Sequence, residues 1–177
     1  ETVKLISNKI AGAASVGIIA GTDFLRSPEG LPSLGLLREL LRAGGKKLTV
    51  VPVLDRCNQR GVWEMGGHPN FGPGYSRVET KGMGTEAMLE AAHSGGLEAL
   101  YIAGADLVTL AEDEEFVKRA LSKVGFLVVQ ETFMTQTARL ANVVLPGAAS
   151  GEKDGMFTNQ EGRAQVIKRL LPPPGKS

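Results

Sequence analysis

Short apolar segments alternate with helical patterns along this chain, and that alternation constrains its fold more than any other feature. Five segments are rich in β-branched residues and apolar at consecutive positions, which is typical of strands buried on both faces of a parallel sheet. They are Ser15–Gly21, Lys47–Asp55, Ala99–Asp106, Phe126–Gln130 and Asn142–Pro146. The sequence therefore predicts five strands, most of them parallel.

Helical patterns lie between the predicted strands. One places four leucines on a single face, with Ser33 as the predicted N-cap and Gly44 as the stop. Others run from Thr85 to Gly95 and, more briefly, over Gln136–Ala141. A further apolar stripe consists of Phe116, Val117, Ala120, Leu121 and Val124. Because strand and helix alternate, we expect an α/β fold: a three-layer α/β/α sandwich with a mostly parallel, Rossmann-like sheet of about five strands.

Charge and cysteine content exclude several classes of function. The formal net charge is +1, which gives no electrostatic basis for binding nucleic acid. No apolar run approaches the roughly 20 residues that span a bilayer, so we expect no direct membrane insertion. The one cysteine, Cys57, cannot supply the four thiolates of an iron–sulfur cluster, and His68 and His93 lack metal-ligand spacing. We expect no metal centre held by this chain alone.

The length of 177 residues suits one substantial core. The chain begins at Glu1 without a methionine, and we expect it to be a piece of something longer. The glycine-rich segment Arg56–Met83 shows no periodicity and is predicted to be a long loop that is functional or covers a neighbour. We expect a dinucleotide-fold domain over residues 1–150. Residues 151–177 are expected to form a crossover segment and tail leading to a neighbouring domain.

Candidate binding residues follow the predicted strands at the carboxyl edge of the sheet, where ligands of open α/β sheets bind. Gly21 and Asp23 lie at the end of the first predicted strand, and Gly104 and Asp106 lie at the end of the third. Glycine lets a ligand approach the backbone, and an aspartate can accept hydrogen bonds from a ribose or purine. Glycine and aspartate also form turns and helix caps at such positions in any α/β protein, so a purely structural role of these residues stays open.

Three segments resemble the molybdopterin oxidoreductase superfamily. Residues 126–165 contain T-x-T-A, then N-V-V-L-P, then N-x-E-G-R-x-Q, in the order that the family shows them. Asn58–Tyr75 is similar to the family's N-x-x-G loop ending in P-G-Y, and Leu97–Leu107 aligns with the strand before its G-x-N-P turn. The resemblance implies the family's α/β fold from residue 47 to residue 165.

Departures from the family pattern indicate which branch the chain resembles. The G-x-N-P turn is replaced by Gly104–Leu107, which has neither Asn nor Pro, and Met156 stands where the family usually has threonine. Glu161–Arg163 is typical of the branch found in the large iron–sulfur subunit of bacterial NADH:quinone oxidoreductase. This resemblance implies a non-catalytic structural and assembly domain with no cofactor of its own. The parent would carry the iron–sulfur clusters.

The same branch implies partners and a location. The partners would be the remainder of the same subunit and other peripheral-arm subunits, at the cytoplasmic, inner face of the bacterial plasma membrane. Thr135 is predicted to cap the short helix after the fourth strand. The crossover segment over residues 151–177 is predicted to be fixed by hydrogen bonds and an ion pair of Asn159, Glu161 and Arg163.

Two alternatives remain open. The chain could be a cofactor-binding fragment of a formate dehydrogenase-like molybdopterin oxidoreductase. That resemblance implies a molybdopterin guanine dinucleotide beside a set of five residues: Gly21, Asp23, Gly104, Asp106 and Thr135. The chain could also be an orphan nucleotide-binding module.

Overall fold

The computed structural model describes residues 1–175. Backbone contacts divide the chain into two compact units, the N-terminal unit Glu1–Gln59 and the C-terminal unit Arg60–Ser177. The predicted domain boundary after residue 150 stays a prediction. None of the helices formed by the described residues is long and apolar enough to cross a membrane.

The N-terminal unit contains three helices and a pair of parallel strands. In chain order the elements are α1 (Thr2–Gly12), β1 (Ser15–Ala20), α2 (Thr22–Arg26), α3 (Gly30–Ala43) and β2 (Lys47–Pro52). The two strands pair in register from Ser15 opposite Lys47 to Ala20 opposite Pro52. Lys46 Nζ donates to the carbonyl oxygens of Ile10 and Ala11, which places a cation at the C-terminus of α1.

Burial in the N-terminal unit differs from the expectation. The continuous apolar run of β2 predicts burial on both faces, but the strand is mostly exposed and the side chain of Val51 is 42% accessible. On α3, Leu41 is buried whereas Leu36 and Leu40 are exposed. A two-stranded sheet has few neighbours within its own unit to cover both faces, so the prediction of double-sided burial is wrong for β2 in this chain.

The start of α3 also differs from the prediction. The helix begins at Gly30 with Glu29 as its N-cap, and Ser33 N donates to Glu29 O within the first turn. Pro32 explains the difference, because a proline lacks a backbone N–H and is tolerated in the first turn of a helix. Ser33 is therefore not the N-cap. The predicted stop is confirmed, since α3 ends at Ala43 with Gly44 as its C-cap.

The C-terminal unit is larger and contains a parallel sheet of three strands. Its helices are α4 (Gln59–Glu64), α5 (Thr85–His93), α6 (Leu107–Leu110) and α7 (Glu114–Ser122), with 3₁₀ turns at Pro73–Tyr75, Ala138–Leu140 and Ser150–Glu152. Its strands are β3 (Phe71–Gly72), β4 (Ser76–Arg77), β5 (Ala99–Ala103), β6 (Phe126–Glu131), β7 (Val143–Pro146), β8 (Gly155–Thr158) and β9 (Ala164–Ile167). The parallel sheet has the order β5-β6-β7, and β3–β4 and β8–β9 are antiparallel pairs.

The core of the C-terminal unit lies between the three-stranded sheet and the helices α5, α6 and α7. Its buried residues are Leu89, Ala92, Ile102, Val108, Val117, Ala120, Leu121, Val124, Leu127, Val129 and Ala138. The apolar stripe predicted on α7 is confirmed, because four of its five residues belong to this set and Phe116 packs against it. Asp113 caps α7 by accepting a hydrogen bond from Phe116 N at 2.8 Å.

The predicted α/β class with parallel strands is confirmed, but the predicted sandwich is not. Within residues 1–175, the five parallel strands form one sheet of two strands and one of three. The prediction of a long loop over Arg56–Met83 is wrong, because this segment contains α4 and the β3–β4 pair. Residues 151–177 contain the β8–β9 hairpin, and passage towards a neighbouring domain stays a prediction.

Candidate functional site

The turn after β5 holds the first predicted site residue of the C-terminal unit. Gly104 has φ of 63°, in the left-handed region that favours glycine. Its N–H donates to the carbonyl oxygen of Gln130 at 2.9 Å, which extends the β5–β6 ladder by one hydrogen bond. The backbone N–H of Gly104 is therefore used within the chain.

Asp106 lies two residues further on, and its carboxylate links the turn after β5 to the segment after β6. Oδ1 accepts from the backbone N and from Oγ1 of Thr137, at 3.0 and 2.6 Å. Oδ2 accepts from Oγ1 of Thr109 at 2.6 Å. Asp106 is also the N-cap residue of α6, but its side chain makes no capping hydrogen bond to that helix. Three of the roughly four acceptor positions of this carboxylate are thus filled by the chain's own donors.

Thr137 is the second half of this connection and was missed in the sequence. Its side chain is fully buried. While Oγ1 donates to Asp106, it accepts from the backbone N–H of Val108 at 3.0 Å. The signal that could have found it is the T-x-T-A motif, in which the second threonine precedes the buried Ala138. The Asp106–Thr137 pair ties the turn after β5 to the segment after β6.

These hydrogen bonds lower the pKa of the Asp106 carboxyl group. Partial burial raises its pKa, but the hydrogen bonds from Thr109 and Thr137 outweigh this effect and lower the pKa from 3.8 to about 2. The carboxylate is therefore more stable in the folded chain than in the unfolded one. Its stabilisation is fully present above a pH of about 3.8 and is lost as the pH falls through about 2.

We expect this shift to appear in the pH dependence of stability. The difference in unfolding free energy between the wild type and Asp106→Asn should be constant above about pH 5 and shrink between about pH 4 and 2, where protonation makes the two alike. Denaturant titrations over this range measure it. Thr109→Val is the matched control: removal of one donor raises the pKa of Asp106, which NMR titration of the carboxyl carbon detects. A wild-type carboxyl that titrates at 3.8 or above contradicts this assignment.

Thr135 stands beside this pair and serves the local backbone. Its Oγ1 accepts from the backbone N–H of Ala138 at 3.2 Å, the kind of hydrogen bond that a capping threonine makes. The helix predicted over Gln136–Ala141 is a single 3₁₀ turn over Ala138–Leu140, and its N-cap residue is Thr137, so Thr135 is not the N-cap. The hydroxyl oxygen that was predicted to face a ligand is engaged with the chain itself.

Gly21 and Asp23 belong to the N-terminal unit. Gly21 is the N-cap residue of α2, and Asp23 lies in its first turn. The hydrogen bonds at this strand edge come from neighbouring residues: Thr22 Oγ1 donates to Asp55 Oδ1, and Arg26 Nη2 contacts Asp55 Oδ2, both at 2.7 Å. The five predicted residues are thus divided, with two in the N-terminal unit and three in the C-terminal unit.

A cavity of about 290 Å³ opens at the carboxyl edge of the three-stranded sheet. Its lining includes Gly104, Thr132 and Lys153 together with Glu131. Ligand pockets for drug-sized molecules measure about 300–1,000 Å³, so this cavity is at the lower limit for a ligand of that size. Glu131 Oε1 accepts from Thr132 N at 2.7 Å. The combination of a small cavity and an occupied Asp106 does not fit a guanine dinucleotide recognised through that carboxylate.

Metal ligands are scarce as well. The described part of the chain, residues 1–175, brings together no group of three His, Cys, Asp or Glu side chains that could hold a metal ion. Cys57 is exposed. His68 Nδ1 accepts from Asn70 N at 3.0 Å, so this histidine supports its own loop.

Parallel strands joined by helices, with an Asp and a Thr side chain hydrogen-bonded to each other at the carboxyl edge, define a mixed α/β protein. The chain belongs to the molybdopterin oxidoreductase family, whose model, described as "Molybdopterin oxidoreductase", matches residues 6–177. The resemblance of the three sequence motifs is thereby confirmed.

Three curated relatives illustrate the similarity. Over 180 residues the chain is 39% identical to the G 2 subunit of NADH-quinone oxidoreductase from Rhizobium meliloti strain 1021, covering 90% of this chain and 21% of the relative. Over 196 residues it is 35% identical to the alpha subunit of F420-dependent formate dehydrogenase from Methanocaldococcus jannaschii, covering 100% and 28%. Over 182 residues it is 30% identical to the alpha subunit of NADPH-Fe(3+) oxidoreductase from Geobacter sulfurreducens, covering 94% and 22%.

The chain therefore spans between a fifth and a third of the length of these relatives. All three are named as oxidoreductase or dehydrogenase subunits.

Proposed function

We propose that this chain is a non-catalytic structural and assembly domain of the large iron–sulfur subunit of a respiratory NADH:quinone oxidoreductase. The observation that carries the proposal is the Asp106 carboxylate, which accepts three hydrogen bonds from Thr109 and Thr137. At the position of the family's G-x-N-P turn, the polar side chain is used to join two loops of the protein.

The neighbouring groups support the same conclusion. The N–H of Gly104 donates to Gln130 O, and the hydroxyl of Thr135 accepts from Ala138 N. The Asp106 carboxylate would have to give up its hydrogen bonds to Thr137 to bind a nucleotide, and buried polar atoms left without a partner cost about 1–3 kcal/mol each. Asp106 therefore favours the structural state over ligand binding, and the hydrogen bonds of Gly104 and Thr135 within the chain support the same state.

The 39% identity to the G 2 subunit of an NADH-quinone oxidoreductase supports the choice of parent. In this proposal the partners are the remainder of the same subunit and other peripheral-arm subunits, at the cytoplasmic, inner face of the bacterial plasma membrane. Residues 1–150 form the dinucleotide-fold domain, and residues 151–177 lead to its neighbour. Iron–sulfur clusters belong to the parent subunit, and this chain holds no cofactor of its own.

A second candidate is favoured by one observation, the cavity beside Gly104. Its lining offers the ammonium group of Lys153 and the hydroxyl of Thr132, which suit a phosphate oxygen. In this candidate the chain is a fragment of a formate dehydrogenase-like molybdopterin oxidoreductase, and a molybdopterin guanine dinucleotide is the implied cofactor. A nucleotide-binding module without molybdenum is a third candidate that uses the same cavity.

The experiment that separates the candidates uses the complete natural subunit in its assembled complex. We expect Thr137→Val to lower the yield of assembled complex, because it destabilises this domain, while NADH:quinone turnover per assembled complex stays unchanged. A matching fall in turnover per complex contradicts the non-catalytic role. Elemental analysis should find no stoichiometric molybdenum or tungsten, and one metal per subunit would establish the second candidate.

Calorimetry with GMP, GDP and AMP on the same preparation tests the third candidate. We expect no binding below millimolar concentrations. Binding that Lys153→Ala abolishes, in a preparation without molybdenum or tungsten, contradicts the scaffold proposal and supports a nucleotide module. The control variant Lys123→Ala removes a lysine from the same unit whose ammonium group donates to His93 O instead.

A further inference from the structure

Arg60 lies on α4, and its guanidinium contacts the turn between β8 and β9, a hundred residues later in the chain. Nη1 donates to the carbonyl oxygen of Gln160 at 2.7 Å. Nε donates to Glu64 Oε1 at 2.8 Å, one helical turn along α4. The side chains of Arg60 and Glu64 are about a third accessible, 36% and 29%, so this contact is partly shielded from water. Glu64 thus orients the guanidinium, and the free end of the guanidinium reaches the hairpin.

Gly162 provides the space for this contact. Its φ is 84°, which side chains rarely adopt. A Cβ atom at this position would lie 2.8 Å from Nη2 and 3.0 Å from Cζ of Arg60, so the guanidinium would have to shift to make room for it. The backbone conformation therefore favours glycine, and a side chain here would also displace the guanidinium from its present position.

The turn also has hydrogen bonds of its own. Asn159 N donates to Arg163 O at 3.0 Å, and Arg163 N donates to Asn159 Oδ1 at 2.9 Å. The predicted ion pair of Glu161 with Arg163 is present at 3.2 Å, but both side chains are more than two-thirds exposed, and such pairs contribute little. The turn closes the hairpin locally, and Arg60 attaches it to α4.

We propose that Arg60, Glu64, Gln160 and Gly162 form a latch that fastens the β8–β9 hairpin to α4. Isolated two-stranded hairpins are marginally stable in water, so a hairpin released from this latch samples open conformations more often. The latch couples two segments far apart in the chain, and such coupling is reciprocal: whatever orders α4 also orders the hairpin. This inference does not depend on the proposed function.

Amide hydrogen exchange in the full chain tests the latch. In Arg60→Ala we expect the amides of Asn159, Gly162 and Arg163 to exchange about tenfold faster, because a hydrogen bond from a charged donor is lost. The amide of Val129 in β6 should be unchanged, which separates local release from a general loss of stability. Arg163→Ala is the matched control, since it removes an exposed ion pair from the same turn, and it should change turn exchange by less than about twofold.

A second pair of variants keeps the test decisive if Arg60→Ala folds poorly. Glu64→Gln leaves Arg60 in place but weakens its orientation, and it should accelerate turn exchange by about threefold. Gly162→Ala should accelerate exchange strongly alone and less in the Arg60→Ala background, where the clash with the guanidinium is absent. Unchanged turn exchange in Arg60→Ala, or equal acceleration at Val129, overturns the latch. Equal effects of Gly162→Ala in both backgrounds also overturn it.

Discussion

A valine in place of Thr137 should lower the free energy of unfolding of the C-terminal unit by about 3 kcal/mol. Valine has nearly the shape of threonine, so packing is retained and the hydroxyl alone is lost. The change leaves the N–H of Val108 buried without its acceptor and removes the 2.6 Å hydrogen bond to the Asp106 carboxylate. Denaturant unfolding followed by fluorescence measures this unit, because the single tryptophan, Trp63, lies within it.

Thr132→Val is the matched control for this prediction. Thr132 follows the same strand, β6, but is exposed, and its replacement should change stability by less than about 0.5 kcal/mol. A double-mutant cycle of Thr137→Val with Asp106→Asn should show a coupling energy of about 1–2 kcal/mol, because the two side chains share a hydrogen bond. Additive effects would mean that the pair does not hold the two loops together.

Leu127→Ala should destabilise the same unit by about 3–4 kcal/mol. Leu127 is 1% exposed and lies in β6, the central strand of the three-stranded sheet. The cost depends on whether the surroundings can relax into the cavity. Here the backbone of Leu127 cannot move easily into the cavity, because both its N–H and its C=O are hydrogen-bonded to Asn142. Leu127 N donates to Asn142 Oδ1 at 2.6 Å, and Asn142 N donates to Leu127 O at 2.9 Å.

Leu110→Ala serves as the comparison for this core substitution. Leu110 belongs to the same unit but is 63% exposed, and we expect its truncation to cost less than about 1 kcal/mol. Both variants are measured by the same Trp63 fluorescence transition. Similar losses for Leu127→Ala and Leu110→Ala would show that the buried cluster does not carry the stability of the unit.

Local patterns predicted the five parallel strands and the helices α3, α5 and α7, because continuous apolar runs indicate buried strands and a 3.6-residue period indicates a helix. The predicted strands begin at the observed residues or within one of them, from Ser15 in β1 to Phe126 in β6. The stripe on α7 is buried as its spacing requires, and α3 ends where Gly44 follows it. The motifs over residues 126–165 identified the family, which the match over residues 6–177 confirms.

Predictions that depend on distant neighbours were less successful. The apolar run of β2 does not reveal that the strand is mostly exposed in this chain. The glycines of Arg56–Met83 suggested a structureless loop, although α4 and the β3–β4 pair form there. The contact of Arg60 with Gln160 spans a hundred residues, and no local pattern encodes it.

The sequence by itself determined the order of the five parallel strands and of the helices α3, α5 and α7 between them, the family and the candidate strand ends of this protein. Only the tertiary structure decided what the polar groups at those ends do. Asp106 and Thr137 are separated by 31 positions, and their shared hydrogen bonds form because parallel strands bring two turns to the same edge. A side chain's capacity to bind a ligand depends on which donors and acceptors reach it in space. Which donors and acceptors meet depends on how distant segments of the chain come together, and local residue preferences do not specify this.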